Sequence, residues 1–422
     1  MKNFLSNRPK YSRGYRRKGF AATSRFRRVI GKSIFSEVID FPIAVLTADV
    51  IEKNSREMME YCQRHGFLLA PHGKTYMAPA LLEKQLRDGV WGFSATSNWQ
   101  MRTLYAMGVN RIILTNEIVN VTAIEWIIKT QKSNRNFELM VYVDSVEGVK
   151  LLESTLAVFA PKKPIDVLVE IGFLGGRGGA RSKKTAIEVA FAVSRSSFLR
   201  LRGLSGFEGI ALPPMNGTVL DGVDILLDLI VATAIEIDSL GYFSKTKKII
   251  LTAGGSNFFD RAIDKFAPLS LSKPIVRILR AGCYLTHDDG VTSPDDRISD
   301  TAIDLPHFQP ALHVWGEVLS IPEPTRAIVG IGRRDASFDL AMPTPKLIRR
   351  KGSNSLEPAL GMSTHTMNDQ HLYLNLSTDA RINLGDLISF GISHPCTTFD
   401  KWRSMVKVDS NYKILEIINT YF

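Results

Sequence analysis

Lys74 is the first residue of this 422-residue sequence whose type and setting could do covalent chemistry. It lies in the run Pro-His-Gly-Lys-Thr, directly after an apolar stretch that predicts a strand. A lysine at the end of a buried strand is partly desolvated, and its neutral amine forms Schiff bases with carbonyl groups. A lone lysine in a loop is more often a solvated surface residue, so this interpretation depends on the motifs that accompany it.

Arg177 lies inside a second motif, Gly-Gly-Arg-Gly-Gly. Its guanidinium stays charged, and its planar fork suits a carboxylate or phenolate-like oxygen. The flanking glycines let the backbone approach a ligand closely. The motif alone leaves open an exposed arginine on a flexible loop.

Two glycine turns follow later apolar stretches. Gly254, Gly255 and Ser256 form a turn of the kind that binds phosphate through backbone N–H groups, although so short a motif is weakly specific. Gly282, Cys283 and Tyr284 form the other turn.

His394 and Cys396 are two residues apart in Ser-His-Pro-Cys-Thr-Thr, and on a strand both side chains would face the same side. Imidazole and thiolate together suit Zn²⁺, and two protein ligands would leave positions open for water and substrate. His365 and His371 are candidates for a third ligand. Spacing alone favours the alternative of a structural histidine beside an inert cysteine.

The elements that must position these residues alternate between short β-branched runs and longer amphipathic helical stretches, which predicts a parallel sheet. Eight such units in about 220 residues fit an α/β fold of the (β/α)8 TIM-barrel type, whose active site lies at the carboxyl ends of the strands. The motif residues follow predicted strands, as that site requires. The eight predicted strands are residues 67–73, 91–97, 111–116, 137–144, 165–172, 199–209, 248–255 and 276–285.

Four segments describe the predicted organisation. Residues 1–36 form a basic, flexible leader, and residues 37–50 contain a strand that joins a C-terminal antiparallel β domain. The barrel takes residues 51–300, and short strands without long helical patterns place the β domain at residues 301–422.

The net charge of +11 is confined to the leader, which contains eleven of the 53 basic residues and none of the 42 acidic ones. The remaining 42 basic residues therefore balance the acidic residues, and no nucleic-acid-binding signature follows. No apolar run is long enough to span a membrane. Three scattered cysteines predict reduced thiols in a cytoplasmic protein.

Together, the runs PHGKT, GGRGGAR, GFEG, AGGS, RAGCYLTHDDG and SHPCTTFDKWR resemble one family over about residues 41–422. That family is the fold-type III pyridoxal-phosphate enzymes related to D-serine dehydratase, D-threonine aldolase and bacterial amino acid deaminases, the last being most similar. The resemblance implies a barrel of the alanine racemase type and a homodimer with shared active sites.

By motif, the resemblance implies that Lys74 binds pyridoxal 5'-phosphate covalently and that Arg177 and His72 lie beside the cofactor. The two glycine turns, including Cys283 and Tyr284, would hold its phosphate. His394 and Cys396 would bind a divalent metal, with Zn²⁺ preferred for the thiolate. Relatives often have tyrosine where this sequence has Phe207, so a role for a phenolic hydroxyl there is in doubt.

The implied activity is elimination of the β-hydroxyl from a D-3-hydroxy amino acid, such as D-serine, to give a 2-oxo acid and ammonia. Cleavage to glycine and an aldehyde, as in D-threonine aldolases, is the alternative; aldolase relatives tend to have a carboxylate at the position of Cys396. The His394–Cys396 pair argues against a racemase. The predicted β domain argues against a non-catalytic cofactor carrier.

Overall fold

The computed structural model describes residues 18–20, 29–290 and 305–422, and these residues form two compact units. The unit that we call the barrel unit contains Met59–Lys74 and Leu86–Gly282. The unit that we call the β unit contains the described residues before Met59, together with Thr75–Gln85 and the described residues from Cys283 onward. The two units therefore alternate along the chain.

Strands and helices alternate regularly from residue 43 to residue 279. Apolar and β-branched residues form the strands, and most of these side chains are buried. The elements are β1 (Ile43–Thr47), α1 (Ala48–Arg64), β2 (Leu68–Leu69), α2 (Pro79–Arg87), β3 (Phe93–Ala95), α3 (Asn98–Ala106), β4 (Arg111–Glu117), α4 (Val121–Ser133), β5 (Glu138–Val143), α5 (Val146–Phe159), β6 (Ile165–Ile171), α6 (Lys183–Arg195), β7 (Leu199–Gly206), α7 (Val219–Ser239), β8 (Ile249–Ala253), α8 (Phe259–Phe266) and β9 (Ile275–Leu279).

The eight strands β2 to β9 form one parallel sheet, in the order β2-β9-β8-β7-β6-β5-β4-β3. A parallel bridge between His72 and Ser94 links its two ends, and the Ser94 amide donates to the Pro71 carbonyl over 2.9 Å. The sheet is thus a nearly closed barrel, and all eight predicted strands are confirmed. Because every strand runs in the same direction, the carboxyl ends meet at one side.

Side-chain caps start three of the helices that follow barrel strands. Ser97, Ser145 and Ser182 each accept a hydrogen bond from a backbone amide in the first turn of α3, α5 and α6. Such a cap stabilises a helix by about 1 kcal/mol. Ser97 and Ser145 follow their strands closely, whereas the longer connection before Ser182 contains the Arg177 motif.

The β unit contains a sheet of ten strands. Strand β1 pairs antiparallel with β10 and parallel with β17, and the other pairs are antiparallel. A separate, mostly antiparallel sheet confirms the predicted fold class. The elements from residue 312 onward are β10 (Leu312–Glu323), β11 (Arg326–Val329), β12 (Thr344–Arg349), β13 (Glu357–Pro358), β14 (Met362–Met367), β15 (Leu372–Leu376), β16 (Leu387–Gly391), α9 (Pro395–Phe399), β17 (Ser404–Val408) and β18 (Ile414–Asn419).

The predicted leader lies mostly outside the described residues. Of its described part, Lys18 forms an ion pair with Asp335 over 2.9 Å. Phe20, Val29 and Ile34 are buried in a hydrophobic cluster of the β unit.

None of the three cysteines forms a disulfide, as the sequence predicts. Within the described ranges, no helix has the length and apolar character needed to cross a membrane.

Candidate active site

Lys74 lies in a 3₁₀ turn, Gly73–Thr75, directly after the first barrel strand. A Cβ atom on Gly73 would lie 2.7 Å from Leu104 Cδ2, so a side chain at this position would have to displace Leu104 of α3. The Lys74 side chain is half-buried, and its Nζ has no hydrogen-bond or salt-bridge partner among the described residues. An amine held in this way is available to a ligand.

His72 lies on the bridge that closes the barrel, and its Nδ1 is buried without a hydrogen-bond partner in the described structure. Burial lowers the pKa of His72 well below its usual value, and the positive charges of Lys74, Arg280 and Arg177 lower this pKa further. The ring is therefore neutral. Three residues predicted to bind the cofactor thus lie within electrostatic reach of one another.

Arg177 is exposed, and its guanidinium carbon lies 4.8 Å from the centre of the Phe207 ring. The loop around it is fixed by hydrogen bonds: Arg181 donates to the Gly178 carbonyl over 2.6 Å, and the Gly179 amide donates to Asp144 over 3.1 Å. These bonds tether the backbone of the loop, while the Arg177 side chain is exposed as in the alternative that the motif left open. Phe207 contributes an aromatic face to the cation in place of a hydroxyl group.

Two glutamates at the carboxyl side of the barrel were not singled out from the sequence. Glu117 ends β4, Glu170 lies near the end of β6, and their side chains share a hydrogen bond. Burial first, and then the charge of Glu117, raises the pKa of Glu170 to about 7. Burial and the neighbouring Asp144 raise the pKa of Glu117 as well. A position near a predicted strand end was the only signal in the sequence that could have found this pair.

The predicted phosphate turn already binds a carboxylate of the chain. The amides of Gly254 and Gly255 both donate to Glu208, which is fully buried, and the Gly254 bond measures 3.1 Å. Burial raises the pKa of Glu208, although the nearby Arg280 opposes that shift. Arg280 is also buried and donates to the Gly206 carbonyl over 2.6 Å. Neither Glu208 nor Arg280 was predicted as a site residue.

In the β unit, His394 is the N-cap residue of α9, and Cys396 lies in the first turn of that helix. The expectation that the two residues share a strand is wrong. Pro395 occupies the first helical position, where its fixed φ favours a helix start and its missing amide costs no hydrogen bond. The two side chains nevertheless interact through a hydrogen bond.

The surroundings of His394 and Cys396 shift the pKa values of the two side chains in opposite directions. Hydrogen bonds from Cys283 first, and then from His394 and Thr75, hold the pKa of the Cys396 thiol well below its usual value against the effect of burial. The Cys396 thiolate, and then Asp339, raise the pKa of His394 to about 9. Both shifts favour a proton on His394 over one on Cys396.

The remaining predicted residues of the β unit have other contacts. Cys283 lies with its sulfur 3.4 Å from that of Cys396, and the Tyr284 hydroxyl accepts a hydrogen bond from Gln85 over 3.0 Å. The described part of the chain contains no group of three or more His, Cys, Asp or Glu side chains that could hold a metal. His365 and His371 are exposed, so neither completes a three-ligand set with His394 and Cys396.

The sequence is similar to a known domain family and to a known enzyme. Residues 311–408 match a family model described as a serine dehydratase domain. A 3-hydroxy-D-aspartate aldolase of Paracoccus denitrificans is 24% identical over 72% of this chain and 75% of its own length.

Solved structures agree on the fold. A D-threonine aldolase from Filomicrobium marinum superposes with a TM-score of 0.70 at 22% identity, covering 90% of this chain and 95% of its own. A D-threo-3-hydroxyaspartate dehydratase from Delftia sp. HT23 gives 0.69 at 18% identity, covering 90% and 97%. Alanine racemases are also similar in structure. At these identities the structures show the fold alone.

These findings support the predicted fold-type III pyridoxal-phosphate family of D-serine dehydratases and D-threonine aldolases. The family cofactor fits the barrel unit, where the Lys74 amine is unpaired and a backbone turn already binds an anionic group. His72 Nδ1 and Arg280 Nε are further buried atoms without a hydrogen-bond partner in the described ranges. A cofactor phosphate on this turn would compete with Glu208 for the two amides.

A divalent metal fits the β unit, because a thiolate and an imidazole interact there directly. Both are ligands that Zn²⁺ prefers. Metal binding would replace the proton that the pair shares in its absence.

Proposed function

We propose that this protein is a metal-assisted pyridoxal-phosphate lyase that removes water from a D-3-hydroxy amino acid and releases a 2-oxo acid and ammonia. The observation that carries the proposal is the interacting pair of His394 and the Cys396 thiolate. The relatives support the substrate class, since they are named for D-threonine, 3-hydroxy-D-aspartate and D-threo-3-hydroxyaspartate.

Lys74 would hold the cofactor covalently, and Arg177, His72 and one or both glycine turns would hold its ring and phosphate. The bound cofactor withdraws electrons from the bonds to Cα. The Lys74 amine would also be the general base for the Cα proton. His72 stays neutral in this setting and therefore contributes a hydrogen-bonding group without a charge.

His394 and Cys396 would hold the metal, which acts as a Lewis acid that makes the β-hydroxyl a better leaving group. The neighbours of Cys396 lower the pKa of its thiol, which favours metal binding, and the His394 proton must leave when the metal binds. With two protein ligands, the metal keeps positions for water and substrate.

The second candidate is an aldolase that cleaves the same substrates to glycine and an aldehyde. The curated relative that covers 72% of this chain is named an aldolase, and this favours the second reading. The choice between the two depends on which proton the site removes: the Cα proton leads to dehydration, and the β-hydroxyl proton leads to cleavage.

A product assay separates the candidates. The purified chain is supplied with pyridoxal phosphate and Zn²⁺, and 2-oxo acid, ammonia, glycine and aldehyde are measured from D-serine, L-serine, D-threonine and D-threo-3-hydroxyaspartate. We expect chelator-sensitive 2-oxo acid and ammonia from the D-substrates only. Lys74→Ala should lose activity by more than 10³-fold because it removes both the covalent anchor and the base.

Cys396→Ala tests the metal, and Cys62→Ala is its matched control because Cys62 is a buried thiol of the barrel unit. We expect a loss of at least 100-fold for the former and little change in turnover for the latter. Glycine and aldehyde in place of 2-oxo acid would establish the aldolase, and chelator-resistant turnover would overturn the role of the pair.

We further propose that the chain is a homodimer in a reducing cytoplasmic compartment. The three free thiols support the compartment. Light scattering should give twice the chain mass of 47.0 kDa.

A further inference from the structure

Asp339 lies outside every motif that the sequence analysis used, in the connection between β11 and β12. Its Oδ2 lies 2.6 Å from Nδ1 of His394, and its Oδ1 accepts a hydrogen bond from the Thr397 hydroxyl over 3.0 Å. The carboxylate therefore contacts the residue that starts α9 and one residue inside that helix.

The connection that contains Asp339 is fixed to α9 and the strand end before it by further hydrogen bonds. The Ser337 amide donates to the Thr398 hydroxyl over 2.9 Å, and the His394 amide donates to the Ser337 hydroxyl over 3.2 Å. The Ser393 hydroxyl donates to the Ala341 carbonyl over 2.7 Å. Because Ser337, Ser393 and Thr398 are buried, this network is shielded from water. The Asp339 side chain is itself exposed, but these bonds fix the backbone on both sides of it.

The bond to Asp339 occupies Nδ1 and leaves Nε2 as the only ring nitrogen of His394 able to bind a metal. In metal sites, a carboxylate that accepts the second ring N–H fixes the tautomer and the orientation of the imidazole and makes it a better ligand. Without that contact, the ring would lose its preferred tautomer and rotate more freely about its side-chain bonds.

We propose that Asp339 is the positioning residue of the metal site, holding His394 by Nδ1 so that Nε2 binds the divalent cation beside the Cys396 thiolate. The inference rests on the proposed metal site and adds a residue and a ligand atom to it. Asp339 acts through His394.

Co²⁺ titration of the full chain tests the inference, because a Co²⁺–thiolate bond gives a charge-transfer absorption that reports binding at Cys396 independently of turnover. Asp339→Ala should weaken Co²⁺ binding by about 10–100-fold. Asp339→Asn should cost less, since the amide oxygen still accepts the Nδ1 proton while the charge is lost. Thr397→Val is the matched control: it removes the other hydrogen bond to Asp339, and we expect a change of less than about threefold.

The outcomes separate this inference from the proposed function. If the wild-type chain shows no Co²⁺–thiolate band, the metal site itself fails and the role of Asp339 falls with it. If the wild type binds Co²⁺ and both Asp339 variants bind it equally well, the metal site stands and the inference is overturned. Circular dichroism checks folding, and Asp339→Asn, which keeps the shape of the side chain, decides the question if Asp339→Ala does not fold.

Discussion

Glu170 shows how the surroundings of one side chain set its charge. Its carboxyl group is 8% exposed, shares a hydrogen bond with Glu117, and has a pKa of about 7. An unfolded chain would have the ordinary value of 4.5, so the folded protein binds the extra proton between these two pH values. The stability that this proton contributes is complete below pH 4.5 and is lost as the pH rises through 7.

Glu170→Gln should therefore stabilise the protein at pH 8 by about 1–3 kcal/mol and have a smaller effect at pH 5. Urea denaturation at the two pH values measures this difference. Glu138→Gln is the control, because Arg111 lowers the pKa of Glu138 and removing that charge should not stabilise the chain at pH 8. A Glu170→Gln variant with the same change at both pH values would show that its carboxyl group titrates normally.

At the scale of the element, the backbone conformation of the Arg177 loop limits which residues can replace its glycines. Gly175 and Gly179 both have positive φ angles, +77° and +96°. A Cβ on Gly179 would lie 2.5 Å from the Gly172 backbone nitrogen, whereas on Gly175 the nearest atom is a Leu212 methyl carbon at 3.4 Å. A side chain would be strained by the positive φ at either position. At Gly179 it would also clash with backbone, whereas at Gly175 there is room for it.

Gly175→Ala should cost about 1 kcal/mol, and Gly179→Ala more than about 3 kcal/mol, because the latter must also displace backbone. Thermal unfolding of the two variants, followed by circular dichroism, gives the comparison. Equal losses would mean that the strand end moves freely to accommodate the new methyl group.

Elements with a local signal were predictable from the sequence. The barrel strands are apolar, β-branched runs between amphipathic helices, and all eight were found. Strands β12 and β14 have a weak local signal, because Thr344–Arg349 and Met362–Met367 contain charged or polar residues and become strands through pairing with β16 and β15. The site residues differ in the same way. Lys74 lies in a motif that can be recognised in the sequence. Glu117 and Glu170 come together only in the folded barrel, where their strands β4 and β6 flank β5.

For the whole molecule, the sequence could not reveal how the chain divides between its two units. Thr75–Gln85 follows the first barrel strand directly and belongs to the β unit. No composition change marks the switch at Lys74, since tertiary packing alone decides it. The sequence predicts that residues 37–50 add a strand to the β domain, but it does not predict the place of β1 between β10 and β17, because that place joins residues more than 250 positions apart.

The start of the chain provides a test at the same scale. Val29 and Ile34 are fully buried beside Trp315, and the amides of Gly31 and Ile34 donate to the carbonyls of Ile414 and Tyr412. Each buried aliphatic side chain contributes about 1.5–3 kcal/mol, so deleting residues 1–36 should lower the unfolding temperature by at least about 5 °C. Deleting residues 1–17, the first part of the leader that the sequence predicts to be flexible over residues 1–36, should leave this temperature unchanged. If both deletions left the unfolding temperature unchanged, residues 29–36 would be dispensable for the β unit despite their burial; if both lowered it, the leader would stabilise the fold from its first residues onward.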